Sequence, residues 1–116
     1  MYHYKAKVER VVDGDTFDIV IDLGFKITTN QRIRMAKINT PETYNVKKDS
    51  EEYKKGLASK QYMEQRLAMN NYEIELETEK TTEKYGRYIG TVHLSDSTIT
   101  LNDELVEKGF AEYKKY

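Results

Sequence analysis

Five stretches of this chain alternate apolar and polar side chains, and a period of two constrains the fold more than any other feature here. Tyr4, Ala6 and Val8 alternate with Lys5, Lys7 and Glu9, which predicts a strand over residues 4–12. Asp13-Gly14 is a hairpin signal. Phe17, Ile19, Ile21 and Leu23 then alternate with Asp18, Val20 and Asp22, a second strand with one buried face. Ile33 and Met35 alternate with Arg32 and Arg34 in a third, over residues 31–38. Tyr72, Ile74 and Leu76 alternate with Glu73, Glu75 and Glu77 in a fourth, and residues 87–94 give a fifth.

Two helices interrupt the series. Asp49 or Ser50 can cap the first, with Glu52 at the capping-box spacing from Asp49. Tyr53, Leu57, Met63 and Leu67 form a modest apolar stripe over residues 51–69, and Asn70-Asn71 ends it. Asn102 or Asp103 caps a short second helix ending at Lys108, with Gly109 as its C′ residue. Three strands, a helix, two strands and a short helix predict an α+β chain, mainly β. Five short antiparallel strands would close into a Greek-key barrel of the OB type, with one helix between strands three and four. A length of 116 residues fits one domain, 1–116. Ten tyrosines and three phenylalanines are expected to give the small core its bulk.

Composition removes several chemistries. Cysteine is absent, which excludes disulfides, thiolate zinc sites and cysteine nucleophiles. Two histidines argue against a multi-histidine metal site. Met1-Tyr2-His3-Tyr4-Lys5 lacks the apolar run of a signal peptide, so the expectation is a cytoplasmic monomer without membrane contact, unless a leader has been removed. Net charge is −1, but residues 1–48 carry +3 and residues 49–116 carry −4. Any polyanion site is expected to draw on the first half.

Three segments carry candidate chemistry. Val12-Asp13-Gly14-Asp15-Thr16 places two carboxylates about a glycine turn, where hard cations find adaptable oxygen ligands. An EF-hand beginning at Asp13 fails, since its sixth and twelfth positions are Asp18 and Gly24 rather than Gly and Glu. Arg34 through Glu42 brings an arginine able to clamp phosphate, then polar oxygens, then a carboxylate able to take a proton from water. Glu83-Lys84-Tyr85-Gly86-Arg87 adds a charged turn and a second arginine. Each segment alone reads as an ordinary turn or a solvated surface. Together they supply the parts for metal-assisted hydrolysis of a phosphodiester.

In this order and on these elements, the motifs resemble the staphylococcal nuclease-like family. The matching pieces are Arg10-Val11-Val12-Asp13-Gly14-Asp15-Thr16, Arg34 with Ile38-Asn39-Thr40-Pro41-Glu42, Lys84-Tyr85-Gly86-Arg87, and Leu101-Asn102, Leu105-Val106 and Gly109-Phe110-Ala111. The resemblance implies an OB barrel that cleaves DNA or RNA in a Ca²⁺-dependent way, by in-line attack of water, leaving 3′-phosphate products. It implies metal-binding roles for Asp15, for Thr40 through its carbonyl, and for Asp13 at one remove. Glu42 would be the general base, Arg34 and Arg87 would bind phosphate, and Tyr85 and Lys84 would contact the substrate strand. Asn39 stands where the family carries a second calcium carboxylate. An amide there still offers an oxygen but removes one formal charge. A catalytically weak or inactive nucleic-acid-binding module on the same barrel is therefore the alternative.

Overall fold

The computed structural model describes residues 2–43, 46–82 and 88–114. Its elements are β1 (Tyr2–Asp13), β2 (Thr16–Asp22), β3 (Thr28–Met35), β4 (Ile38–Asn39), α1 (Glu51–Ala68), β5 (Glu73–Thr82), β6 (Tyr88–His93), α2 (Leu101–Glu107) and β7 (Glu112–Tyr113). The five long strands close into a barrel in the order β1-β2-β3-β6-β5. Four of the five seams are antiparallel, as expected, but the closing seam β3–β6 is parallel, with Arg34 opposite Ile89. The helix-bearing crossover between β3 and β5 is what permits that seam, because a parallel pair needs a long connection.

Alternation fills the barrel largely as the sequence implies. Phe17, Ile19 and Ile21 from β2, Ile33 and Met35 from β3, Ile74 and Leu76 from β5 and Val92 from β6 are all buried. One expectation fails. Leu23, in step with β2, is exposed, because β2 has ended and the chain is turning through Gly24, Phe25 and Lys26 at positive φ. The aromatic bulk sits mostly at the edge of the core: Phe17 is the fully buried ring among the described residues, Tyr4, Tyr62, Tyr88 and Phe110 pack half-buried against the aliphatic interior, and Phe25, 97% exposed, Tyr72 and Tyr113 face solvent.

Helix α1 starts at Ser50, whose hydroxyl accepts the Tyr53 amide, so the cap is Ser50 rather than Asp49. Its buried stripe is Gly56, Ser59, Met63 and Leu67, small at one end and large at the other. The large end seals the barrel core; the small end admits neighbouring backbone. Helix α2 is capped by Thr100, not by Asn102 or Asp103. Asn102 instead turns inward, where its Oδ1 accepts the Val92 amide and its Nδ2 donates to the Ala36 and Gly90 carbonyls. A buried amide with three partners is worth more there than at a cap. Gly109 follows α2 at φ 83°, as predicted.

The two helices are joined by a charged clamp. Arg66 of α1 donates to Glu104 of α2 at 2.7 Å and to both oxygens of Asp96 at 2.9 and 2.7 Å. The Tyr62 hydroxyl donates to the same Glu104 oxygen at 2.6 Å. Desolvation, reinforced by the Glu104 carboxylate, pushes the Tyr62 phenol up to about 12. His93 of β6 sits beside Glu77 of β5 at 3.2 Å.

Candidate active site at the head of three strands

The β1–β2 turn, the end of β3 and the segment after β4 converge at one end of the barrel, and register explains why. Thr16 lies opposite Arg34 across the β2–β3 ladder, which sets the turn residues Asp13 to Asp15 beside the end of β3. The Met35 amide donates to the Asp15 carbonyl at 2.8 Å and locks the two together. A register shift between Val11 and Asp13 bends β1 just before the turn, and bulges of this kind re-aim side chains at strand ends.

Asp15 is buried, and every oxygen it presents is engaged. Its Oδ1 accepts the Thr16 hydroxyl at 3.1 Å, and its Oδ2 accepts the Thr40 amide at 3.0 Å and lies 3.2 Å from Arg34 Nη2. Arg34 Nη1 donates to the Met35 carbonyl at 2.7 Å. Its Nη2 donates to the Ile38 carbonyl at 2.7 Å and to Asn39 Oδ1. Thus Asp15, Arg34, Asn39 and Thr40 form one connected group.

Asp13 is buried beside this group and accepts the Gly14 amide at 2.9 Å and the Thr43 hydroxyl at 3.4 Å. Burial pushes its carboxyl above the usual range, and the charges of Asp15 and Glu42 push it further. Glu42 itself is exposed at the rim. Lys84, Tyr85 and Arg87, the other sequence candidates, lie outside the described residues.

The site depends on two close approaches that sequence reasoning did not identify. A Cβ on Gly14 would stand 2.8 Å from the Ser59 Cβ and 2.9 Å from the Thr40 hydroxyl. A Cβ on Gly56 would stand 2.7 Å from the Pro41 carbonyl and 2.9 Å from the Glu42 carbonyl. Helix α1 therefore presses its small end directly against the loop that carries Thr40 and Glu42. A glycine inside a helix costs about 1 kcal/mol relative to alanine, which was the available signal that Gly56 has a packing role. The pairing of β4 with β7, Asn39 opposite Glu112, was also missed. Two-residue strands carry no periodicity to read.

The donor chemistry suits a hard divalent ion. All candidate ligands are oxygens, namely the Asp15 and Asp13 carboxylates, the Asn39 amide and the Thr40 carbonyl. Asp13, Asp15 and Glu42 bring three carboxyl groups, and among the described residues Arg34 is the one cation bonded to any of them. The Asp13 carboxyl is raised first by burial, and the neighbouring charges of Asp15 and Glu42 add to it. The hydroxyl of Thr40 is buried without a hydrogen-bond partner among the described residues, a further oxygen not yet spent.

A closed five-stranded barrel with two helices, carrying a carboxylate–guanidinium group at the head of β1, β2 and β3, is a barrel of the OB type. Residues 32–116 match the family model described as staphylococcal nuclease homologue, and the chain belongs to that family. It is 34% identical over 109 residues to the thermonuclease of Staphylococcus intermedius, covering 94% of this chain and 59% of that protein. It is 31% identical over 111 residues to endonuclease YhcR of Bacillus subtilis (strain 168), covering 93% of this chain and 9% of that protein. The micrococcal nuclease of Shigella flexneri is 27% identical over 121 residues, 97% of this chain and 60% of that protein. The chain thus spans less than two thirds of each of these relatives.

Proposed function

We propose that this chain is a Ca²⁺-dependent nuclease that hydrolyses phosphodiester bonds of DNA or RNA by in-line attack of water and leaves 3′-phosphate products. The observation that carries the reading is the meeting of Asp15, Arg34, Asn39 and Thr40 at the end of three barrel strands, in a chain of a family with nuclease members. Asp15, Asn39 and the Thr40 carbonyl would hold the ion, with Asp13 supporting them from behind. The ion when bound neutralises phosphate charge and lowers the cost of generating a nucleophile from water.

The rest of the chemistry falls to the chain's own groups. Arg34 binds a phosphate oxygen and stabilises the charge that builds on it, with Arg87 as the second such group. Glu42, on the exposed rim, takes the proton from the attacking water. Tyr85 and Lys84 hold the strand, and the substrate is proposed to be single-stranded. The chain is proposed to act as a monomer.

Asn39 favours a second reading, a nucleic-acid-binding module without cleavage, since the amide removes a formal charge from the ion site. Product analysis separates the two. Incubation of a 5′-labelled single-stranded oligonucleotide with calcium should give fragments ending in 3′-phosphate, and Asp15→Asn should give none. Binding of the oligonucleotide with no fragments at any calcium concentration supports the binding module.

A further inference from the structure

We infer that Arg34 is an internal competitor of the metal ion: its Nη2 occupies the oxygens of Asp15 and Asn39 that the ion would use, so this arginine sets the ion affinity of the site. The inference rests on the calcium reading above and concerns one nitrogen.

Arg34 Nη2 has two hydrogens and three oxygens about it. They are the Ile38 carbonyl at 2.7 Å, Asn39 Oδ1, and Asp15 Oδ2 at 3.2 Å. Two of the three belong to side chains proposed as ion ligands. Oxygens aimed at a guanidinium offer it their lone pairs, and a divalent cation at the same oxygens would stand in contact with a full positive charge. Like charges at contact repel strongly in a partly desolvated site. The Arg34 side chain is 14% exposed and Asp15 11%, so water screens the repulsion poorly. The ion and Nη2 therefore compete for Asp15 Oδ2 and Asn39 Oδ1, and withdrawal of Nη2 frees both oxygens for the ion.

The same geometry links the ion to the substrate. With Nη1 on the Met35 carbonyl and Nη2 on three oxygens, Arg34 cannot present the two-nitrogen fork that grips a phosphate. Among the described residues no acceptor takes its Nε–H. Withdrawal of Nη2 completes the fork. Arg34 is thus held in reserve by the ligands of the ion, and freed as they are taken.

Calcium binding to the whole chain, measured by calorimetry without nucleic acid, tests this. Arg34→Met keeps the apolar stem and removes the charge; its calcium affinity should rise at least about tenfold. Arg34→Lys keeps the charge and should stay close to the parent. Affinity in Arg34→Met equal to or below that of the parent overturns the inference, as does absence of binding in both up to tens of millimolar calcium. Should the Met variant fail to fold, the parent carries its own test in the side-chain ¹⁵N NMR signals of Arg34. Their restricted rotation should be released on calcium saturation, and signals that stay restricted overturn the inference. Cleavage is scored separately. A tighter Arg34→Met with a parent that does not cut keeps the competition and discards the nuclease; equal affinities with a parent that cuts do the reverse.

Discussion

At the scale of single residues, Asn39 carries the largest consequence. It lies directly opposite Glu112 in the β4–β7 pair. Asn39→Asp should tighten calcium binding at least about tenfold, since unit charges in contact interact by roughly 1 to 4 kcal/mol in partly solvated sites. The same change sets two carboxylates face to face, which costs a strand pair about 0.2–1 kcal/mol. In chelator the new carboxylate meets Arg34 Nη2 as well as Glu112, so the variant should melt close to the parent there and higher in millimolar calcium. Unchanged calcium affinity would remove formal charge as the explanation. That Asp13, Asp15, Arg34, Asn39 and Thr40 come together was legible because motif spacing survives as register: Thr16 opposite Arg34 is enough to bring the first and third strands' ends together. That Arg34 would spend Nη2 on Asp15 and Asn39 was not legible, because spacing says nothing of which acceptor a guanidinium chooses.

At the scale of elements, helix α1 joins site to core. Gly56→Ala gains about 1 kcal/mol of helix propensity, but overpacking against backbone costs about 1–3 kcal/mol and is not relieved by a rotamer change. The expected result is no net gain in a urea titration and a loss of cleavage, since Pro41 and Glu42 must move; a variant more stable than the parent with full activity contradicts the close approach. At the other end of α1, Arg66→Met leaves Glu104 buried with only the Tyr62 hydroxyl, and breaking one side of a buried ion pair costs about 3–5 kcal/mol. Equilibrium unfolding checks this, and Arg66→Met with Glu104→Gln should recover part of it.

The Asp96 carboxyl is held below its usual range by hydrogen bonds from Arg66. A depressed carboxylate stabilises the fold above its unfolded pKa of 3.8, and that stability is lost as pH falls through the lower folded value. Asp96→Asn should thus be less stable than the parent at neutral pH, and the gap should close in acid. Long elements were legible because period two and the helical stripe repeat enough to be read. The first helix starts at Ser50, one of its two expected caps, whereas the second starts at Thr100, two residues before Asn102, and the inward Asn102 shows tertiary partners deciding the outcome.

At the scale of the whole molecule, the charge split of the sequence keeps a spatial meaning. β1, β2 and β3 are adjacent barrel strands from the basic first half, and every described site residue comes from that half. The far tip of the β2–β3 hairpin lies outside both core and site. Phe25→Ser there should change unfolding free energy by no more than about 0.5 kcal/mol, because its ring packs on nothing. A larger loss would mean the tip is covered in solution. The central claim is that the head of the three strands uses calcium to cut nucleic acid. Cleavage of single-stranded DNA across a calcium titration from micromolar to tens of millimolar, with chelator as blank and Glu42→Gln alongside, tests it most directly. The account predicts cleavage that rises with calcium, vanishes in chelator and is lost in Glu42→Gln; no cleavage at any calcium concentration, or cleavage undiminished in chelator, would contradict it.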